Sequence, residues 1–468
     1  MGVVLGLLSA APLHAATSRE MTAQAFRQAY SLDFPAAYVS LDEAARLDPA
    51  DPAAARAAAA LTWIEVLLIQ GAVTFEAFTG QASKEDVSRP VPPPSLALRF
   101  KTQIERAKRL ADARLKASSD ADAHYQVGAT SALAAMYMAT VEGRTSGAFR
   151  DGRHAVREME LARKLDPARR ETGLVLGMSE YTVSTLAWPV RIGAGLFGLS
   201  GNRAHALALL EEAAQPASET ESDALLVLMI AYSREGSWST ATERLGRLQT
   251  RFPRNRLFRL NSGAMAIEAR QFLLAERALA EPPPAESVAQ VPVVTGERAL
   301  WLLKRGTARA ALGRAEDAAA DLDAALAAGP RDWVRGRTHY QLASLALGRG
   351  DSGGLKHLDL AIDLGKRSGD DAAVRAAETL RSQGRRQHRT RLQPSAYLEP
   401  MGAPALDYEA VPLVTEPATA WLFVTSVRAS SNSRSTSSAC DLVRTSGGAK
   451  RTALRPAPRI RTPRRNIA

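Results

Sequence analysis

An all-α fold built from successive helical hairpins is predicted, on three observations. Apolar residues recur at i, i+3, i+4 and i+7 through an Ala/Leu/Arg/Glu-rich body. Gly, Pro and Asp interrupt them about every 14–20 residues, and no stretch shows the period of two that a half-buried strand needs. The chain has 468 residues, 46% hydrophobic and 23% charged, which suits several domains or one long repeat array and excludes wholesale disorder. Its formal net charge is +11, which raises nucleic acid, anionic membrane and acidic proteins as partners. The single cysteine, Cys440, excludes an internal disulfide framework and multi-cysteine zinc sites, and seven scattered histidines suggest no metal site.

Residues 3–13 (VVLGLLSAAPL) are apolar and are followed by small residues at Ala15 and Ala16, as in the hydrophobic region and cleavage site of a secretory signal peptide. Segment 1–16 is therefore expected to be a signal peptide that directs the chain to the periplasm or medium of a bacterium. A basic segment ahead of the run is missing, and a cytoplasmic chain is the alternative. No other run has the roughly 18 apolar residues of a transmembrane helix. Thr62–Phe78 contains Glu65 and Glu76, and Leu174–Leu199 contains Glu180, Pro189 and Arg191, so both read as buried helices.

Residues 17–170 read as N-terminal hairpins. Ala37, Leu41, Ala44 and Pro49 share a spacing with Ala155, Met159, Ala162 and Pro167, and both sets end in the tripeptide Leu-Asp-Pro. The helices over 52–79, 95–117 and 120–142 are too long or too irregularly spaced to fit that pattern. Residues 171–383 form the main array. Counting from Ser222 as position 1, Leu225, Leu228 and Tyr232 fall at 4, 7 and 11, Gly236 at 15, Ala241 at 20, Leu245 at 24, Leu248 at 27 and Pro253 at 32. Thirty-four residues on, from Arg256, Gly263 is at 8, Ala275 at 20 and Leu279 at 24. A third unit from Ala299 has Gly306 at 8, Gly313 at 15, Ala318 at 20, Leu322 at 24, Ala325 at 27 and Pro330 at 32. The best units are thus 222–255, 256–289 and 299–332, with a degenerate hairpin from Val334 to Lys366. From Gly384 the helical pattern breaks, and 384–468 is Pro/Ser/Arg-rich and expected to be disordered.

This repeat resembles the tetratricopeptide repeat (TPR) family, a helix–turn–helix unit with small residues at positions 8, 20 and 27 and proline at 32. Met229 at 8 and Leu248 at 27 depart from that pattern in the first unit. The segment Gly173–Arg270 is similar to bacterial TPR proteins related to the inclusion-body-clearance group, a resemblance that implies no chemistry. The TPR resemblance implies a right-handed superhelical solenoid whose concave wall is made by the first helix of each hairpin. It also implies that positions 2, 5, 9, 12 and 13 face the groove. Here those are Asp223, Leu226, Ile230, Ser233 and Arg234, then Leu257, Leu260, Ala264, Ile267 and Glu268, then Leu300, Leu303, Thr307, Ala310 and Ala311. The set is more aliphatic than charged and lacks the Lys/Arg/Asn group that clamps a peptide carboxylate. It is expected to take an apolar segment of another protein or to be filled by one of the chain's own helices.

Several strings look like chemistry. Gly350-Asp351-Ser352-Gly353-Gly354 spells the nucleophile motif of trypsin-like proteases, but it falls between two helical patterns and suits a turn and helix N-cap. Arg349-Gly350-Asp351 in the same turn would be an adhesion tripeptide, a string common by chance. Gly193–Gly198 satisfies G-x-G-x-x-G without the preceding strand that a dinucleotide site needs, and reads as a linker. His154 and Glu158 lie one helical turn apart and read as a solvated face. No catalytic, cofactor or metal residue is assigned, and the leading function is a non-catalytic scaffold for protein–protein interaction in the cell envelope. The alternatives are nucleic-acid or anionic-membrane binding through the basic tail, and an enzyme within the irregular helices of 52–142.

Locating the charge narrows the first alternative. Residues 428–468 hold ten Lys and Arg against one acid, so nine of the eleven net charges lie there and the repeat body is nearly neutral. No nucleic acid is expected for that body. The tail also has the composition of a GC-rich gene read out of frame. Removal of residues 428–468 is expected to abolish salt-sensitive retention on DNA or anionic vesicles; retention by the truncated chain would place the basic surface elsewhere.

Overall fold

The computed structural model describes residues 16–79, 91–186, 191, 201–284 and 294–392. Among them are 18 α-helices and no strand. The first eight are α1 (Ser18–Tyr30), α2 (Phe34–Leu47), α3 (Pro52–Ile69), the short α4 (Phe75–Thr79), α5 (Pro94–Ala117), α6 (Ala121–Tyr137), α7 (Thr145–Leu165) and α8 (Thr172–Ser184). A π-helical turn, Met138–Glu142, extends α6. Then follow α9 (Arg203–Ala213), α10 (Glu221–Arg234), α11 (Trp238–Arg251), α12 (Arg256–Glu268) and α13 (Phe272–Ala278). The last five are α14 (Glu297–Ala311), α15 (Ala315–Ala327), α16 (Asp332–Gly348), α17 (Gly354–Ser368) and α18 (Asp371–Leu392). They pack as pairs, α1 with α2, α3 with α5, α6 with α7, α8 with α9, and so on to α16 with α17, on which α18 lies. Each pair also touches the next. Residues 1–15, the Gly193–Gly198 string, Cys440 and the 428–468 tail lie outside the described residues.

One turn recurs through the fold. Besides α3, which ends at Gly71 (φ 61°), and the π-helical turn, which ends at Gly143 (68°), the first helices of five pairs end in a left-handed residue: Leu32 (φ 62°), Gly236 (69°), Arg270 (58°), Gly313 (77°) and Gly350 (79°). In each of these five, the next amide donates to the carbonyl five residues back, as in Asp33 to Gln28, Ser237 to Tyr232, Gln271 to Ala266, Arg314 to Arg309 and Asp351 to Ala346, over 2.7–3.0 Å. This Schellman closure satisfies helix-end carbonyls that would otherwise be orphaned. In four of the five, the donating residue is at once the N-cap of the second helix. Gly236, Arg270 and Gly313 all occupy position 15 of their units, so the backbone keeps the conformation where the sequence drops the glycine.

The two Leu-Asp-Pro tripeptides also behave alike. Asp48 has φ −139° and ψ 93°, and Asp166 has φ −136° and ψ 91°. Proline bars its predecessor from the helical region, and each aspartate carboxylate accepts the amide two residues on, Ala50 at 3.0 Å and Ala168 at 3.1 Å. Ala37, Leu41, Ala44, Ala155, Met159 and Ala162, the residues that suggested these units, are all buried.

Two features differ from expectation. The pattern break at Gly384 does not end the last helix, because Arg, Gln and Thr tolerate a helix and α18 runs on to Leu392. Helix α3 is, by length and a mean hydropathy of 1.4, apolar enough to cross a membrane, although it carries Arg56 and Glu65. In the fold it is a packed core helix. Thr62 donates to Gln103 of α5, and the Trp63 indole donates to Thr140 at 2.9 Å.

Small residues set the separation within pairs. A Cβ on Gly177 of α8 would stand 2.8 Å from the Ala206 carbonyl oxygen and 2.8 Å from Leu210 Cγ of α9, and one on Gly263 would strike Leu279. Gly246, in the middle of α11, faces open space. Urea unfolding is expected to show Gly177→Ala destabilised by about 1–3 kcal/mol, since backbone must move. Gly246→Ala should gain about 0.5–1 kcal/mol from helix propensity alone. Arg270→Gly should gain a similar amount by relieving the left-handed strain; a loss there would contradict the shared turn.

Candidate functional site

The first helices α10, α12 and α14 carry the residues predicted to line a groove, and the structure divides those residues into two sets. Leu260, Leu300 and Leu303 are 2–4% exposed and form one cluster with Trp301, Trp333 and Val334. They are packing between consecutive hairpins, which corrects their assignment as groove surface: a leucine on a helix flanked by two neighbours is used up by them. Leu257 is likewise buried, against α1, α2 and α3. Ser233 turns its hydroxyl back to the Met229 carbonyl at 2.7 Å, and Thr307 to Leu303 at 2.8 Å. Ile267 and Glu268 stay half-exposed, as does Arg234, whose guanidinium pKa burial lowers to about 10. Asp223 meets a different neighbour, the N-terminal part of the chain, and Leu226 and Ile230 pack on the cluster that Phe75 and Tyr30 join.

That neighbour arrives in two places. The Tyr30 hydroxyl, at the end of α1, donates to Asp223, its ring stacks on Phe252 with centroids 5.0 Å apart, and its carbonyl accepts Asn255 Nδ2 at 2.8 Å. The second is α4, which packs on α10 and α12 and reaches α14 through an ion pair between Glu76 and Lys304. Phe75 is 1% exposed and joins the cluster of Leu225, Leu228 and Met229, with Trp238 at 6.2 Å between ring centroids. The approach to α4 turns at Gly71, whose φ of +61° follows α3. A Cβ there would meet the Thr295 carbonyl oxygen at 3.1 Å and Arg331 Nη1 at 3.0 Å. Arg331 Nη1 in turn donates to the Gln70 carbonyl at 3.3 Å.

Cations also lie on these first helices and on the next, α16. Lys304 and Arg331 are 8% exposed, and the guanidinium carbons of Arg331 and Arg337 lie 5.1 and 5.0 Å from the Trp333 ring centre. The sequence register missed Lys304 because it stands at position 6 of its unit, outside the set expected to face the groove. The missed signal was the apolar surroundings, Leu302-Leu303-Lys304, in which an ammonium needs an anion.

Burial treats the two acids at these contacts, Asp223 and Glu76, oppositely. Asp223 is desolvated, and despite the Tyr30 hydroxyl its pKa is raised. Desolvation and the Asp223 carboxylate push Tyr30 well above the ordinary phenol value. For Glu76, burial also pulls upward, but the charge and hydrogen bond of Lys304, a backbone amide and Arg337 outweigh it, so its pKa is lowered.

Other motifs resolve locally. His154 and Glu158 do not share a solvated face: Glu158 is buried and accepts from His124 Nδ1 at 2.7 Å, with His154 3.8 Å from its other oxygen. With the Nδ1 proton on that carboxylate, His124 Nε2 accepts from Ser119 at 2.9 Å. The serine–histidine–carboxylate line has the order of an acyl-transfer relay. Beside the serine, however, the Asp120 carboxylate takes the Ala123 amide at 2.8 Å and holds its own pKa low by that bond first. The line ties the α5–α6 turn to α7. A polar cleft of about 130 Å³ nearby is lined by Lys108, Asp112, Thr130, Ser131, Asp151 and His154, with Lys108 and Asp151 paired at 2.9 Å. In the Gly350–Gly354 string, Gly350 is left-handed and Asp351 Oδ1 accepts the Gly353 amide at 2.8 Å, so that string is a turn. Among the described residues no three of His, Cys, Asp and Glu converge to hold a metal.

No protein-family model matches this sequence, and no curated protein matches it.

The opposite shifts separate the two acids by pH. Asp223 has a folded pKa above its unfolded one, so its contribution is full in acid and is lost as pH rises through the folded value. Glu76 has a folded pKa below its unfolded one, so its contribution is present near neutrality and is lost as pH falls through the folded value. Thermal melts should find Asp223→Asn at least as stable as wild type at pH 8, with the difference closing toward pH 4. Glu76→Gln should cost about 3–5 kcal/mol at pH 7, by stranding Lys304, and much less in acid.

Proposed function

We propose that this chain is a non-catalytic, TPR-type scaffold of the bacterial cell envelope. Its hairpins stack into a right-handed solenoid, and the first helices of the units at 222–255, 256–289 and 299–332 form a concave wall that binds a segment of another protein. The observation that carries this reading is the seat of α4. A five-residue helix lies across α10, α12 and α14, its aromatic ring in an apolar cluster and its carboxylate on Lys304. The recurrence of one left-handed closure at position 15 supports the repeat assignment. The apolar run at 3–13 supports export.

Aspartate at Leu260 would be a poor test of the wall, because that leucine is buried between hairpins and a charge there would unfold them. Photocrosslinking separates surfaces without that cost. A benzophenone side chain at Ile230 or Ile267, both half-exposed on first helices, is expected to capture a discrete partner, identified by mass spectrometry. The same probe at Glu243 on α11, whose side chain is 66% exposed, is expected to capture none. Capture from Glu243 alone would move the interface to the second helices and end this reading.

A further inference from the structure

We infer that α4 is a resident occupant of the partner seat, and that the partner segment displacing it carries the same chemistry, an aromatic side chain followed directly by a carboxylate. The inference rests on the proposal that the wall binds protein segments, and adds what the segment is and what holds the seat in its absence.

The first argument is conformational. Five residues cannot hold a helix in water, since the nucleation cost is not recovered over one turn. The conformation of Phe75–Thr79 is thus imposed by the surface on which it lies, as for a bound peptide. Its connection to α3 is a left-handed glycine, Gly71, after which the Ala72 amide caps Leu67. The α3 end is therefore complete without α4, and its closure does not depend on where α4 sits.

The second argument is chemical. The seat offers an apolar recess beside a buried ammonium, and at the approach to it Arg331 holds the Gln70 carbonyl. An empty seat would open the apolar recess and the ammonium to water, and covering them with a segment that lacks an acid would bury Lys304 without a counter-ion. An incoming segment with an aromatic and an adjacent acid restores both contacts, so the exchange replaces one ion pair by another. An apolar segment without the acid would strand Lys304 and is discriminated against. A tethered occupant competes at a high effective concentration, so the apparent affinity of the wild-type chain for a free segment is reduced by the fraction of time the seat is open.

The probe is a fluorescent peptide of residues 71–79, Gly71 to Thr79, and a second peptide with glutamine in place of its glutamate. Fluorescence anisotropy against the full chain should show the acidic peptide binding Glu76→Gln about tenfold or more tighter than wild type. It should prefer the acidic over the amide peptide, and the preference should vanish in the double variant Glu76→Gln/Lys304→Met. Equal binding to wild type and Glu76→Gln would overturn resident occupancy while leaving the wall as a binding surface. No binding to a Glu76→Gln chain with unchanged circular dichroism would overturn both. Because Glu76→Gln could itself unfold, hydrogen exchange on the wild-type chain provides an independent reading. Excess acidic peptide should accelerate exchange at residues 72–79 and leave α10 and α12 protected, and unchanged exchange there would overturn the inference.

Discussion

No helix in this chain can bury its apolar stripe alone, and the constraint that makes the stacking possible is the closure between the two helices of a pair. The closure is one left-handed residue and one hydrogen bond from the next amide to the carbonyl five back, seen at Leu32, Gly236, Arg270, Gly313 and Gly350. It sets how many residues separate the last turn of one helix from the first turn of the next, and so which faces meet. Gly177 and Gly263 then set how closely they meet. A change in either would rotate or lift a helix, and the neighbouring pair would lose its mate, because each pair supplies half of the next one's core.

On that frame the charged groups in the interior act as position markers. Arg256 and Glu297 join α12 to α14 through two hydrogen bonds of 2.7 and 2.9 Å. Arg305 and Arg309 share Asp321 across α14 and α15. Buried ion pairs contribute little net stability, since desolvation offsets attraction, but a lone member is costly, so each pair penalises a shifted register. Glu76 and Lys304 belong to this class with one difference. Their partnership links segments far apart in the sequence, and with the Tyr30 contacts and the packing of Leu257 it fixes where the N-terminal hairpins meet the later units.

How much was legible follows from the range of the interactions involved. The hairpins at 222–255, 256–289 and 299–332 could be read because their signals are local: apolar residues on one stripe, a small residue at the close approach, a turn residue at position 15. The two Leu-Asp-Pro stops were legible for the same reason, as proline acts on its neighbour through sterics alone. Where local signals were permissive the reading failed, as at Gly384, where charged residues that suit a loop or a helix continue α18. His154 and Glu158 looked like a solvated face because their own helix is polar there; the burial of Glu158 comes from His124, on α6.

By itself, the sequence determined the helical class, the pairing of helices, their turns and the near neutrality of the repeat body, because each depends on residues within one hairpin. The tertiary structure alone decided that Leu257, Leu260, Leu300 and Leu303 of the first helices are used up in packing and not left as groove surface. It also decided that Tyr30, Phe75 and Glu76 come to rest on α10, α12 and α14. Those contacts join positions 150 to 230 residues apart, and nothing in a periodic pattern encodes which distant segment meets which face. They depend on the summed rotation from one hairpin to the next, and on where an ammonium buried among leucines finds its carboxylate.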